Sequence, residues 1–193
     1  MEALGLSPTP AAEPPSNPGF QLLREFSWGQ HGDYHWGAVV RNTTGSPVGF
    51  EAAITFKGIQ GEEVGHGEAR ILACAPGCDA LILCDTATPF LSAECDIALT
   101  PAQGPAPQDA VTVSLERSHG NVLLTAVNRS SLTFGTVEFS CLFLDAAGNV
   151  VDSTWGYFSD LDGVLNPGES VSREETCAAD FEAVLVFLGG SGK

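Results

Sequence analysis

The sequence predicts an all-β protein made of two tandem antiparallel β-sandwich domains. Three observations carry that expectation. First, Val111, Val113 and Leu115 alternate with Thr112, Ser114 and Glu116, and Val137, Phe139, Cys141 and Phe143 repeat the pattern. A period of two puts one set on a core face and the other toward solvent. Second, turn residues recur between such runs, at His31-Gly32-Asp33, His119-Gly120-Asn121 and Gly148-Asn149. That spacing suits a sandwich or barrel. Third, the two halves of the chain resemble one another.

The repeat is visible element by element. Val39-Val40-Arg41-Asn42-Thr43-Thr44 matches Thr125-Ala126-Val127-Asn128-Arg129-Ser130-Ser131. An alternating strand follows each, residues 50–56 and 137–143, and then a glycine turn. Later come Pro76-Gly77 and Pro167-Gly168, and closing strands at 93–99 and 181–188. Matching positions lie about 86 to 91 residues apart. Solenoid repeats run ~20–50 residues, so this period means duplicated domains. The expected organisation is a Pro-rich tether at 1–19, a first domain at 20–99, a Pro-rich linker at 100–108, a second domain at 109–189 and a flexible tail at 190–193. The Leu4–Leu6 and Leu22–Phe26 stretches are too short to read as helices.

Composition limits the function classes. Hydrophobic residues make up 44% of 193, enough for packed cores, and charged residues only 17%, too few for a solvated disordered chain. The balance of 24 Asp+Glu against 8 Lys+Arg gives a net charge of −16. Such a surface repels phosphate backbones and anionic lipid, so no nucleic-acid partner is expected. No run approaches the ~20 apolar residues of a membrane helix. The N-terminus lacks a basic start and an apolar core, so the chain reads as a mature form with an export segment removed.

Cys74, Cys78, Cys84, Cys95, Cys141 and Cys177 form an even set. In small β domains an even count fits disulfides and an oxidising compartment. Cys141 and Cys177 are the only cysteines after Thr100, so they pair with each other. Cys74 and Cys78 flank a Pro-Gly turn, which leaves Cys84 with Cys95. Four cysteines allow three pairings, and a four-thiolate zinc site is the competing reading for the first four. Against zinc, Cys84 and Cys95 do not form the close pair that structural sites use.

One family resemblance emerges from the second repeat. Val127-Asn128, the strand ending Cys141-Leu142-Phe143-Leu144-Asp145, Gly148-Asn149-Val150-Val151 and Leu165-Asn166-Pro167-Gly168-Glu169-Ser170 resemble the FxLYD domain, covering most of residues 110 to 188. In the naming motif Cys141, Phe143 and Leu144 replace the Phe, Leu and Tyr, while Asp145 stays. The first repeat is more divergent. The resemblance implies an immunoglobulin-like β-sandwich in a bacterial or archaeal extracytoplasmic protein, exported or lipid-anchored. It implies no catalytic residues.

Other candidate sites are few. The segment 28–36 concentrates aromatics and histidines, and Trp28, Tyr34 and Trp36 are the candidate sugar-stacking platform. Its competing reading is a hairpin with cross-strand aromatic packing. His66 and His119 read as turn residues. Asp160-Leu161-Asp162-Gly163 lacks the ligand count of a calcium loop. Asn42-Thr43-Thr44 and Asn128-Arg129-Ser130 match glycosylation sequons and also suit turns. Residues 189–193 mimic part of a phosphate-binding loop without its first Gly or closing Ser/Thr. The expected function is a non-catalytic extracytoplasmic module, without cofactor or metal, that binds a protein or cell-envelope component or spaces an assembly. The alternative is carbohydrate binding through Trp28, Tyr34 and Trp36.

Overall fold

The computed structural model describes residues 19–30, 33–118, 120–158 and 163–192. The tether before Gly19, His31, Gly32, His119, Asp160, Leu161, Asp162 and Lys193 lie outside the described residues. The chain is all-β. The strands are β1 (Phe20–Gln30), β2 (Asp33–Asn42), β3 (Val48–Lys57), β4 (Glu63–Cys74), β5 (Asp79–Thr86) and β6 (Ser92–Pro101). A 3-10 turn (Pro107–Asp109) leads to β7 (Val111–Ser118), β8 (Asn121–Asn128), β9 (Phe134–Leu144), β10 (Val150–Tyr157), β11 (Ser170–Thr176) and β12 (Ala183–Gly192). The strands form four small sheets of three, ordered β1-β2-β5, β4-β3-β6, β11-β8-β7 and β10-β9-β12. Among the described residues every strand pairing is antiparallel. The order in the second half repeats that of the first.

Each pair of sheets encloses a core. In the N-terminal half, Trp36, Ala38, Val40, Ala80 and Ile82 of one sheet face Phe50, Ile54, Phe56 and Ile97 of the other. In the C-terminal half, Val122, Leu124, Ala126 and Val171 face Val137, Phe139, Cys141 and Phe143. These sets obey the period-two parity of their strands, with Ala52 and Leu124 on the inside and Glu51 and Leu123 on the outside. Two strands outrun the expected limits, since β6 continues to Pro101 and β12 to Gly192.

The segment expected to be a linker is docked. Ala106 and Pro107 are buried. The Gln103 amide donates to the Leu72 carbonyl at 3.0 Å, and Gln108 Nε2 donates to the Leu188 carbonyl at 2.6 Å. A third apolar cluster joins the halves: Val39, Leu81, Leu142, Leu144 and Val150, with Phe26, Trp28, Leu83 and Phe187 against them. These residues project from the outer faces of sheets β1-β2-β5 and β10-β9-β12. Both faces of β2, β5 and β9 are therefore covered, which explains the unbroken apolar runs 38–40, 81–84 and 141–144 in the sequence.

The repeated Val-Asn landmark is a repeated hydrogen-bond cluster. Asn42 and Asn128 end β2 and β8 with no exposed surface. Asn42 Nδ2 donates to the Ser46 and Cys74 carbonyls, each at 2.9 Å, and Oδ1 accepts from the Thr44 amide and hydroxyl. Asn128 Nδ2 donates to the Leu132 and Leu165 carbonyls at 2.7 and 3.1 Å, and Oδ1 accepts from the Ser130 amide and hydroxyl. The Pro-Gly turns close onto the same residues: the Gly77 amide donates to the Asn42 carbonyl and the Gly168 amide to the Asn128 carbonyl. Gly77 and Gly168 have φ of 73° and 76°, a region that glycine enters without steric cost.

Asp145 organises the β9–β10 hairpin. Its carboxylate accepts from the amides of Ala147 and Asn149 and from Asn149 Nδ2, at 2.8 to 3.0 Å. The Asn149 side chain, then its backbone amide, holds the Asp145 carboxyl below its ordinary range. A depressed carboxyl contributes stability that is complete above its unfolded value, near pH ~4, and is lost as pH falls through the folded value. Asp145→Asn is therefore expected to lower the urea midpoint at neutral pH, with the gap to the parent closing as the medium is acidified. A gap independent of pH contradicts this role.

Candidate binding surface

The aromatic segment does not form one platform. Trp36 lies opposite Ser27 and Trp28 opposite His35 in the β1–β2 ladder, so the two indoles leave the sheet on opposite faces. Trp36 is 2% exposed in the N-terminal core, with its Nε1 donating to Glu25 Oε1 at 2.8 Å. Tyr34 shares its parity. Trp28 is half-buried and stacks on His35 at 4.7 Å beside the junction between the halves. His35 Nδ1 lies 2.7 Å from Asp85 Oδ1. This arrangement is the cross-strand packing alternative, and it leaves no pair of coplanar solvent-facing rings at Trp28, Tyr34 and Trp36.

A different aromatic pair faces solvent. Trp155 and Tyr157, on β10, are 60% and 44% exposed. Their rings meet edge to face, 5.7 Å between centroids at 88°. Gly156 between them points inward, where a Cβ would come within 2.9 Å of the Phe139 ring. β10 thus presses its backbone onto the core and turns both rings outward. Across the ladder, Tyr157 lies opposite Glu138 and Trp155 opposite Ser140, so Glu138 and Ser140 share the aromatic face. Glu138 is half-buried, and burial pushes its carboxyl up. Among the described residues it has no hydrogen-bond or ion-pair partner. The sequence signal for this surface is the Trp-Gly-Tyr triplet at 155–157, with glycine on the core parity, which was not singled out from the sequence.

An open cleft of about 600 Å³ lies where the halves meet, walled by Leu23, Val39, Cys78, Leu185, Phe187 and Leu188. Polar groups at its margin are already committed. Arg41 makes a two-pronged contact with Asp79 at 2.6 and 3.0 Å, and Arg24 Nη2 donates to the Gly148 carbonyl at 2.7 Å.

All six cysteines are free thiols, where the sequence led us to expect three disulfides. The first two expected pairs lie in the N-terminal core: Cys74 Sγ is 3.4 Å from the Cys78 carbonyl, and Cys84 and Cys95 belong to the same apolar cluster. Cys141 and Cys177 occupy the C-terminal core together but have different charged neighbours, Glu175 for the former and Asp152 and Asp180 for the latter. Burial is the main cause of a raised thiol in every case and pushes Cys74, Cys95 and Cys141 up to about 12. Thiolate is the nucleophile and the metal ligand, so these environments favour packing over reactivity. Among the described residues no three His, Cys, Asp or Glu side chains converge as a metal site. His66 is a solvent-facing side chain 4.0 Å from Glu63. No helix among the described residues is long and apolar enough to cross a membrane.

No family model matches the sequence, and no curated protein sequence matches it. Among solved structures, red sea bream transglutaminase is 11% identical over 89% of this chain and 29% of its own, with a TM-score of 0.29. A chain from a chaperone–tip adhesin complex, described as vital for synergistic activation of CFA/I fimbriae biogenesis, is 10% identical over 90% of this chain and 98% of its own, with a TM-score of 0.24. The chain spans less than a third of the length of the transglutaminase.

Proposed function

We propose that the chain is a pair of tandem immunoglobulin-like β-sandwich domains of FxLYD type that acts outside the cytoplasm as a non-catalytic module engaging a protein partner. The observation that carries this reading is the solvent-facing Trp155–Tyr157 pair, since exposed aromatics on a rigid sheet are the side chains that anchor protein interfaces. The repeated strand order and the repeated Asn clusters support the tandem arrangement. The packed junction supports a spacer role, because it holds one half against the other. The extracytoplasmic, cell-envelope or lipid-anchored setting rests on the family resemblance.

The test uses the purified chain and a Trp155→Ala/Tyr157→Ala double variant, immobilised against cell-envelope extract and against a glycan array. Both rings are exposed, so the variant is expected to keep the parent's melting temperature. The expected result is a specific protein retained by the parent and lost from the variant. Glycan binding that depends on Trp155 replaces this reading with a carbohydrate-binding one. Retention that is equal for both chains removes the aromatic surface from the function.

A further inference from the structure

Resting on the protein-binding reading above, we infer that Trp155, Tyr157 and Glu138 form a binding corner for the ammonium group of a lysine side chain on a basic partner polypeptide. Three observations on one face of sheet β10-β9-β12 lead there. The rings stand at 88° to each other, 5.7 Å apart. A sugar face stacks on flat or parallel rings, whereas two perpendicular rings enclose a compact cation, which is attracted to the negative face of each. The carboxylate at the foot of Tyr157 has no partner among the described residues, although Arg41, Arg70 and Lys57 are all paired with acids elsewhere. A half-buried, unpaired carboxylate is costly, and an incoming cation relieves that cost.

The whole-chain charge selects the source of the cation. At −16, two copies of this chain repel each other, and the chain has only two lysines, Lys57 and Lys193. Lys57 already lies 3.4 Å from Glu94. A foreign basic polypeptide is instead drawn in by the long-range field. Within that field the corner specifies lysine, because a compact ammonium fits between perpendicular rings where a planar guanidinium stacks along one. β10 is the outer strand of its sheet, and beside the corner its Tyr157 carbonyl accepts from Arg173 Nε at 3.1 Å, which leaves the two ring faces themselves uncovered.

The probe is Nα-acetyl-lysine N-methylamide, followed by the Trp155 indole N–H resonance, with the Nε-acetylated form as the neutral control. Cellohexaose serves as the saccharide arm. The lysine probe is expected to shift the Trp155 signal and the acetylated probe to leave it in place. Trp155→Ala, read at the Tyr157 ring signals, is expected to weaken binding about ten-fold, and Glu138→Gln about five-fold. Glu138→Gln keeps the side chain's shape and removes a half-buried, unpaired charge, so it is expected to melt no lower than the parent, which separates lost binding from lost fold. An affinity that falls with salt but ignores both substitutions reduces the effect to bulk charge attraction and overturns the inference. A Trp155 shift with cellohexaose and none with the lysine probe also overturns it. A Glu138-dependent lysine shift without any captured protein sustains the corner while the protein-binding reading fails.

Discussion

Alanine at Asn128 is expected to destabilise the chain by about 3 kcal/mol in urea unfolding at neutral pH, and alanine at Asn42 by a similar amount. Each amide makes four hydrogen bonds without solvent exposure, two given and two received. The bonds to the Cys74 and Leu165 carbonyls are buried, so truncation removes from each a donor that water does not replace, although the Leu165 carbonyl keeps the Phe134 amide at 3.1 Å. Each lost hydrogen bond costs about 0.5–1.5 kcal/mol, four are lost at once, and the loop order held by Thr44 and Ser130 goes with them. Aspartate is expected to be no better than alanine. It keeps the acceptor, loses both donors and adds a buried charge. Ser130→Ala removes the hydroxyl bond to the Asn128 amide oxygen and the acceptor of the Leu132 amide, and is expected to cost about 1–2 kcal/mol. A loss below about 1 kcal/mol at both asparagines would show that the clusters are incidental to the fold. The same geometry bears on the two sequons. The nitrogen that a glycan would take is bonded to two carbonyls inside each half, so the folded chain offers neither as an acceptor.

The sequence made the inner faces of the strands legible and left the outer faces open. Period-two alternation at 137–143 marks the C-terminal core because Val137, Phe139, Cys141 and Phe143 follow a pure parity rule. The Val-Asn and Pro-Gly landmarks mark the repeat because each turn depends on its asparagine. The junction is harder to read. Its residues, Val39, Leu81 and Leu142, sit at the solvent parity of their strands, and they appear in the sequence only as interruptions of alternation. A run such as Leu81-Ile82-Leu83 suits a strand buried on both faces, but periodicity does not say what covers the second face. The aromatic segment left two readings open for the same reason. Density of Trp and His at 28–36 does not reveal that β1 and β2 turn Trp36 toward their own core and Trp28 toward the other half. Trp155 and Tyr157 were not singled out from the sequence, since nothing local to β10 says that its outer face stays uncovered.

Aspartate at Leu142 is expected to part the two halves while leaving each of them folded. Leu142 is 1% exposed and lies in the cluster that joins Val39 and Leu81 to Leu144 and Val150. Its neighbours Cys141 and Phe143 point the other way, into the C-terminal core. The substitution therefore places a charge in the junction and changes no residue of either core. Alanine alone removes enough buried surface to cost about 2–5 kcal/mol, and an unpaired buried carboxylate adds to that. What remains between the halves is the packing of β12 against β4 and β5 and a few hydrogen bonds. The remaining direct ties include the Arg24–Gly148 and Gln108–Leu188 hydrogen bonds, each worth about 1–2 kcal/mol. In the parent, docking is expected to make urea unfolding a single transition. In Leu142→Asp that transition is expected to split in two, and the radius of gyration from small-angle scattering is expected to rise under native conditions. Asp145→Asn, which acts inside the C-terminal half, is expected to lower only one of the two transitions in the Leu142→Asp background. A single transition at reduced midpoint with unchanged dimensions would mean that the junction belongs to one continuous core and that the halves do not fold as separate units.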